Sequence, residues 1–295
     1  MPTVSANASP SLLWKAQGQI GVVGAGVMGQ TFLNAWIQQG LVTKQQVWAM
    51  AKTPATCKRV ADAWGIKAVT ACSKAPLAKT QVLLLAVKPY QLESVLLALT
   101  KAGLSPNTLV ISVVAGKTLE QLQALLPVGT PVVRAMPNTP AVVGHGMSVI
   151  CPGSEATDEH VAIATALFGS VGQCLQLEEH HFDAVTGLCG SGPAYMYLMM
   201  EAMADGGVRV GLPRDVALAI VTQTVLGAAL MVQQTGRHPA ALRDDVTTPA
   251  GCTIAGLLTL EDGKIRSVLA RAVEEATKNG KRPWIKPKPC FKVLM

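Results

Sequence analysis

The chain has 295 residues, of which 49% are hydrophobic, 15% charged and 4% aromatic, so it is long enough for two domains whose cores are mainly aliphatic. Its net charge of +7 is scattered until the stretch 278–292, and no basic stripe interleaves with aromatics. That argues against nucleic-acid binding and favours small anionic ligands. Seven cysteines, an odd number without a C-x-x-C pair, read as reduced, mostly buried thiols of a cytoplasmic protein and not as a disulfide framework.

Residues 1–17 contain one basic residue and no long apolar core, the profile of a flexible tail and not of a secretory signal or an Arg-rich transit peptide. From Ile20 to Leu177, apolar runs at 19–23, 46–50, 81–87, 108–114, 131–135, 146–151 and 173–177 alternate with amphipathic stretches at 27–39, 54–64, 90–100, 118–125 and 158–169. This alternation predicts an α/β domain over 18–178, Rossmann-like, with a mostly parallel sheet covered by helices. Thr118 and Gln121 have capping-box spacing, and Thr157 stands at an N-cap position. After Leu177 the strand signals stop, and 178–188, 193–210, 213–235 and 264–278 read as helices. Pro213 suits a first helical position, while Gly211 and Gly236 suit helix ends. Residues 179–278 are therefore expected to form an all-α domain, apolar on more than one face, packed against a second copy. The segment 217–232 is strongly apolar, but Thr222-Gln223-Thr224 interrupts it and it is short for a bilayer; a buried helix is expected, with no membrane partner. Residues 279–295 read as a basic tail in which Pro283, Pro287 and Pro289 forbid a continued helix.

The first strand ends in Gly24-x-Gly26-x-x-Gly29 and an amphipathic helix follows at once. Strand, glycine turn and helix in that order form a dinucleotide-binding fingerprint, with phosphates at the helix N-terminus. Where an NAD-specific fold places a carboxylate after the second strand, this chain has Ala51-Lys52-Thr53-Pro54. A carboxylate would repel a 2′-phosphate, whereas Lys52 and Thr53 can bind one, so NADP(H) is favoured, with NAD(H) possible; the competing reading is a solvated surface lysine. Ala86 to Pro89 and Val113 to Ala115 occupy further strand ends, where ligands of open parallel sheets lie. His180 and His181 are adjacent, expected to diverge and without a clustered third ligand, so no metal is expected. Cys189, with no histidine locally paired, reads as a buried thiol.

Several blocks together resemble the pyrroline-5-carboxylate reductase family: Gly24-Ala-Gly-Val-Met-Gly29, Ala86-Val-Lys-Pro89, Arg134-Ala-Met-Pro-Asn-Thr-Pro140, Thr186-Gly-Leu-Cys-Gly-Ser-Gly-Pro-Ala-Tyr195, Glu201-Ala-Met-Ala-Asp-Gly-Gly-Val208 and Asp245-Val-Thr-Thr-Pro-Ala-Gly-Cys-Thr-Ile254. The resemblance runs from about Gln19 to Lys278. It implies a Rossmann domain followed by a helical dimerisation domain, a homodimer that in this family often assembles into a larger ring, and NADPH-dependent reduction of a cyclic imine carboxylate. It also implies that Val23, Gly24, Ala25, Gly26, Val27, Met28, Ala51, Lys52, Ala86, Val87, Lys88, Pro89, Val113, Val114 and Ala115 touch the cofactor. Thr248, Gly251, Cys252 and Thr253 would hold the substrate. Glu179 would lie nearby, stabilising the cationic nitrogen, and the Thr253 hydroxyl would bond the ring nitrogen. The competing reading of Thr253 is the N-cap of a helix over 254–261. The chain departs from the family at Pro249-Ala250-Gly251, where Pro-Gly-Gly is usual; if that glycine needs positive φ, alanine is strained there by about 1 kcal/mol or more. A hydroxyacid dehydrogenase of the same broad fold would have a lysine on the first long helix after the sheet, and 193–208 contains none. A non-catalytic NADP-binding protein is the alternative from another class; the intact loop at 247–253 argues against it.

Overall fold

The computed structural model describes residues 18–280; the expected tails at 1–17 and 281–295 lie outside the described residues. The chain divides into two compact units, 18–190 with 277–280, and 191–276. The first unit holds eight strands: β1 (Gln19–Val23), β2 (Val47–Met50), β3 (Lys67–Val69), β4 (Thr80–Leu85), β5 (Leu109–Ser112), β6 (Val132–Pro137), β7 (Gly146–Pro152) and β8 (Gly172–Gln176). They form one sheet in the order β3-β2-β1-β4-β5-β6-β7-β8. All neighbours are parallel except β6 and β7.

Both faces are covered, which is why the central strands read as unbroken apolar runs. On one face α1 (Val27–Gln38), α2 (Pro54–Trp64) and α5 (Asp158–Gly169) contribute Phe32, Trp36, Val60 and Phe168 to a core with Ile20, Val22, Val82 and Leu84. Trp36 Nε1 donates to Leu167 O at 3.0 Å. On the other face α3 (Leu92–Lys101), α4 (Leu119–Gln123) and α6 (Phe182–Val185) bring Leu96, Leu122 and Phe182 against Leu83 and Leu85. Phe182 is fully buried there, so residues 179–190 pack with the sheet unit and the boundary falls at Gly190/Ser191, later than the composition shift at 178. Thr118 caps α4, accepting from Gln121 N at 3.2 Å. Thr157 caps α5 with His160 Nδ1 as its partner.

The second unit consists of α7 (Gly192–Arg209), α8 (Arg214–Thr235), α9 (Pro239–Asp245), α10 (Cys252–Asp262) and most of α11 (Ile265–Gly280). Gly236 ends α8 in the left-handed region, whereas Pro213 is the cap of α8 and not its first residue. The unit's own core is small: Ala204, Ala217 and Val221, with Met200, Val208 and Val225 around them. The expected burial of 217–232 is not met within one chain. Leu218, Ile220, Leu226 and Met231 are each about half exposed, because α8 is apolar all round and this unit covers only its Ala217–Val221 side. By length and composition alone α8 is sufficient to cross a membrane.

Candidate functional site

β1 runs directly into the glycine turn. Gly24 adopts φ +107, and a Cβ there would lie 2.5 Å from Ala86 O. Its N–H and that of Ala25 donate to Met50 O at 2.9 and 3.2 Å, which binds the turn to the end of β2. A Cβ on Gly29 would collide with Gly24 O, so α1 approaches β1 only because that position is glycine. Gly26 is the N-cap of α1 and faces open space, with no atom within 4 Å of where its Cβ would be. Turn, close ligand approach and helix packing are thus divided among the three glycines as the fingerprint requires.

That space belongs to a cavity of about 590 Å³ beyond the carboxyl ends of β1 to β4. The sheet order reverses between β1 and β4, the place where open α/β sheets bind ligands. Gly24, Ala25, Gly26, Ala51, Lys52, Ala86, Val87 and Lys88 line it. The other expected residues lie outside its wall. Val23 and Val114 are buried, Pro89 is buried behind the strand end, and Met28 and Val113 pack on the core. Ala115 is half-buried, and Val27 is exposed on a neighbouring groove. The wall adds Thr56, Thr70, Ala71 and Cys72 and one face of α3 and the turn before it: Gln91, Ser94, Val95 and Ala98. Those four follow i, i+3, i+4, i+7 spacing, a signal that was available in the sequence. Thr53 does not face the cavity as a phosphate ligand; its hydroxyl accepts from Thr56 N at 3.2 Å as the cap of α2. With two lysines, no carboxylate in the wall and the open N-terminus of α1, the cavity fits a nucleotide bearing an extra phosphate.

Glu179 stands apart from that cavity. Its Oε1 accepts from Arg134 Nη1 at 2.8 Å and from Leu119 N at 2.6 Å. The guanidinium, 8% exposed, lies 4.5 Å from the Phe182 ring centroid. Gly116, Thr118, Gln121, His180 and Asp183 complete a polar cavity of about 490 Å³. The rings of His180 and His181 do not diverge: their centroids are 3.8 Å apart. His180 faces Glu178 at 3.2 Å, and among the described residues no group of three or more His, Cys, Asp or Glu could hold a metal.

The 248–253 loop belongs to the second unit. Ala250 adopts φ +56, the left-handed conformation that a glycine would take without strain. Gly251 N donates to Thr248 O at 3.1 Å, and a Cβ at 251 would collide with Thr248 Oγ1. The N-cap of α10 is Gly251 and not Thr253. The sharp turn at 250–251 starts the helix two residues earlier than expected, so Cys252 and Thr253 lie in its first turn, whose N–H groups have no acceptor within the helix. The Thr253 side chain, half-buried, has no hydrogen-bond partner among the described residues. Arg237 Nη1, 2.6 Å from Asp245, braces the base of the loop and holds that carboxyl below its usual range.

The Met-Pro-Asn block has a structural role that its sequence did not disclose. Asn138 accepts from Met147 N at 2.9 Å and donates to Cys189 O at 3.3 Å, tying β7 to the π-helical turn Thr186–Gly190. Cys189 donates to Met147 O, and burial pushes its thiol up to about 11, which is unsuited to a nucleophile.

Residues 19–116 match the family model described as NADP oxidoreductase coenzyme F420-dependent, and residues 179–282 match that described as pyrroline-5-carboxylate reductase dimerisation. The pyrroline-5-carboxylate reductase of Arabidopsis thaliana is 42% identical over 263 residues, covering 89% of this chain and 94% of its own. That of Methanosarcina acetivorans is also 42% identical, over 89% of this chain and 97% of its own. Among solved structures, a pyrroline-5-carboxylate reductase from Coxiella burnetii aligns with a TM-score of 0.83 at 28% identity, over 90% of this chain and 98% of that one. The pyrroline carboxylate reductase of Plasmodium falciparum, with NADP bound, aligns with a TM-score of 0.80 at 26% identity, over 91% and 98%.

Proposed function

This chain belongs to the pyrroline-5-carboxylate reductase family, and from that membership we propose that it reduces 1-pyrroline-5-carboxylate to L-proline with NADPH, the last step of proline biosynthesis. The observation that carries this reading is the glycine corner opening onto a carboxylate-free cavity at the sheet's reversal point. When bound, the reduced nicotinamide supplies a hydride. The residues from Val23 to Met28, with Ala51, Lys52, Ala86 to Pro89 and Val113 to Ala115, cradle the cofactor; those whose side chains are buried contribute backbone. Lys52 and Lys88 supply the positive charge for its phosphates.

The substrate is a five-membered imine bearing a carboxylate. With the ring nitrogen protonated, the electron deficit lies on the imine carbon. A hydride supplied there would leave the C=N π pair on nitrogen, giving the amine of proline. The chain's task is to hold that ring in place. The first-turn N–H groups of α10, with Thr248, Gly251 and Cys252, hold the carboxylate, and the Thr253 hydroxyl bonds the ring nitrogen. On this reading Glu179, already shared between Arg134 and Leu119, supports the site through those two partners.

A homodimer accounts for the exposed apolar surface of α8 and α10, which a second copy would cover. On this reading α8 is an interface helix of a cytoplasmic enzyme and not a membrane span, and larger rings would grow from the dimer. The test is NADPH oxidation, followed by the cofactor's near-ultraviolet absorbance, with the five-membered imine and each nicotinamide cofactor in turn. Turnover with NADPH is expected. Thr253→Ala should lower it by roughly tenfold, the loss of one hydrogen bond to a charged group, while NADPH binding persists. An unchanged rate would remove Thr253 from this role.

A further inference from the structure

We infer that Arg134 and Glu179 form a clamp that positions the nicotinamide half of the cofactor through the loop 113–118, an inference that rests on the reading above. The chain leaves β5 at Ser112, which pairs in register with Arg134 on β6. Val113 N donates to Leu85 O at 3.0 Å and Val114 N to Ser112 Oγ at 3.3 Å, fixing the start of the loop. It then turns at Gly116, φ +69, and enters α4 at Thr118. The far end is held from outside. Leu119 N donates to Glu179, and Glu179 is held by Arg134 against Phe182. Strand, guanidinium, carboxylate and helix thus close a ring around six residues of backbone.

Two observations mark this ring as more than a helix cap. Thr118 and Gln121 already cap α4, so the charged pair is not needed to start the helix. An arginine this buried also has a large desolvation cost, which a neutral acceptor for Leu119 N would avoid. What the pair adds is a fixed position for the loop. A dinucleotide crosses the point where strand order reverses, with its two halves on opposite sides. The cavity at β1 to β4 ends at Ala86 to Lys88, and 113–118 is the next loop along the same carboxyl edge. Glu179 is therefore a positioning residue that acts through this loop without touching the substrate.

The experiment compares the full-length wild-type protein with E179A, E179Q and the double variant R134M/E179L. Each is titrated with NADPH by nicotinamide fluorescence, and with 2′,5′-ADP, which carries only the adenosine half, by calorimetry. E179A should raise the Kd for NADPH roughly tenfold or more, leaving that for 2′,5′-ADP within about twofold. E179Q should recover most of the loss, because its amide oxygen still accepts from Leu119 N. In turnover the KM for NADPH should rise in step with Kd. The double variant, which leaves no unpaired buried charge, stands in should E179A fail to fold. Parallel weakening of NADPH and 2′,5′-ADP would overturn the inference. So would unchanged NADPH binding with kcat falling equally in E179A and E179Q, since that pattern places the Glu179 charge on the substrate. If the wild type reduced no cyclic imine, the functional reading would fail, and the binding comparison would still decide the clamp.

Discussion

At the residue scale, position 250 shows how one methyl group records a departure from the family. Ala250 is held at φ +56 by a turn that Gly251 and Thr248 close around it. A left-handed alanine is strained by about 1–2 kcal/mol, and glycine gives back part of the gain through its freer unfolded chain. Ala250→Gly should therefore stabilise the protein by about 0.5–1 kcal/mol in urea denaturation; a loss of stability would mean the loop does not hold this conformation. Lys52 offers a second test. It is the exposed cation at the end of β2, on a wall without carboxylates. Lys52→Asp should move cofactor preference from NADPH towards NADH by at least about tenfold in kcat/KM, the scale of replacing an attraction by a repulsion near the surface. An unmoved ratio would show that Lys52 does not face the 2′-phosphate.

At the element scale the strand–turn–helix unit β1–α1 is the rigid part of the site. Gly24→Ala would force a Cβ against Ala86 O at positive φ, so NADPH affinity should fall by more than about a hundredfold with the sheet still formed by circular dichroism; wild-type affinity would refute the turn's role. This unit was legible in sequence because an apolar run, three glycines in register and an amphipathic stretch all agree. β3 was not: it is three residues at the sheet edge, begins with an exposed lysine, and takes its identity from pairing with β2. With it went Thr70 and Ala71 in the cavity wall. α9 was missed for a similar reason, since its start depends on the His238 ring accepting from Ala240 N. The cap of α10 was misplaced because a threonine is the stronger local signal, whereas the true start is set by a tight turn that Gly251 N closes onto Thr248 O with Ala250 in the left-handed region, a conformation that alanine does not announce. The partner of Glu179, Arg134, lies far off in sequence, and no spacing rule joins them.

At the scale of the whole molecule, helices apolar on more than one face already pointed in sequence to a second copy as their cover, whereas the extent of α8 left uncovered within one chain shows only in the structure. A helix apolar on all sides, in a unit whose own core is three small residues, needs another surface, and the dimerisation family match at 179–282 points to a second copy. Leu226→Glu, on the exposed side of α8, should convert dimers to monomers in sedimentation velocity while the sheet unit keeps its NADPH affinity; an unchanged mass would place the interface elsewhere. The central claim, that a hydride passes from the bound nicotinamide to the imine carbon, has a direct test in isotope transfer. NADPH deuterated at C4 on the transferred face, incubated with the enzyme and the five-membered imine, should yield proline carrying one deuterium at the former imine carbon. Cofactor oxidation that leaves the proline unlabelled, or no proline at all, would contradict the account.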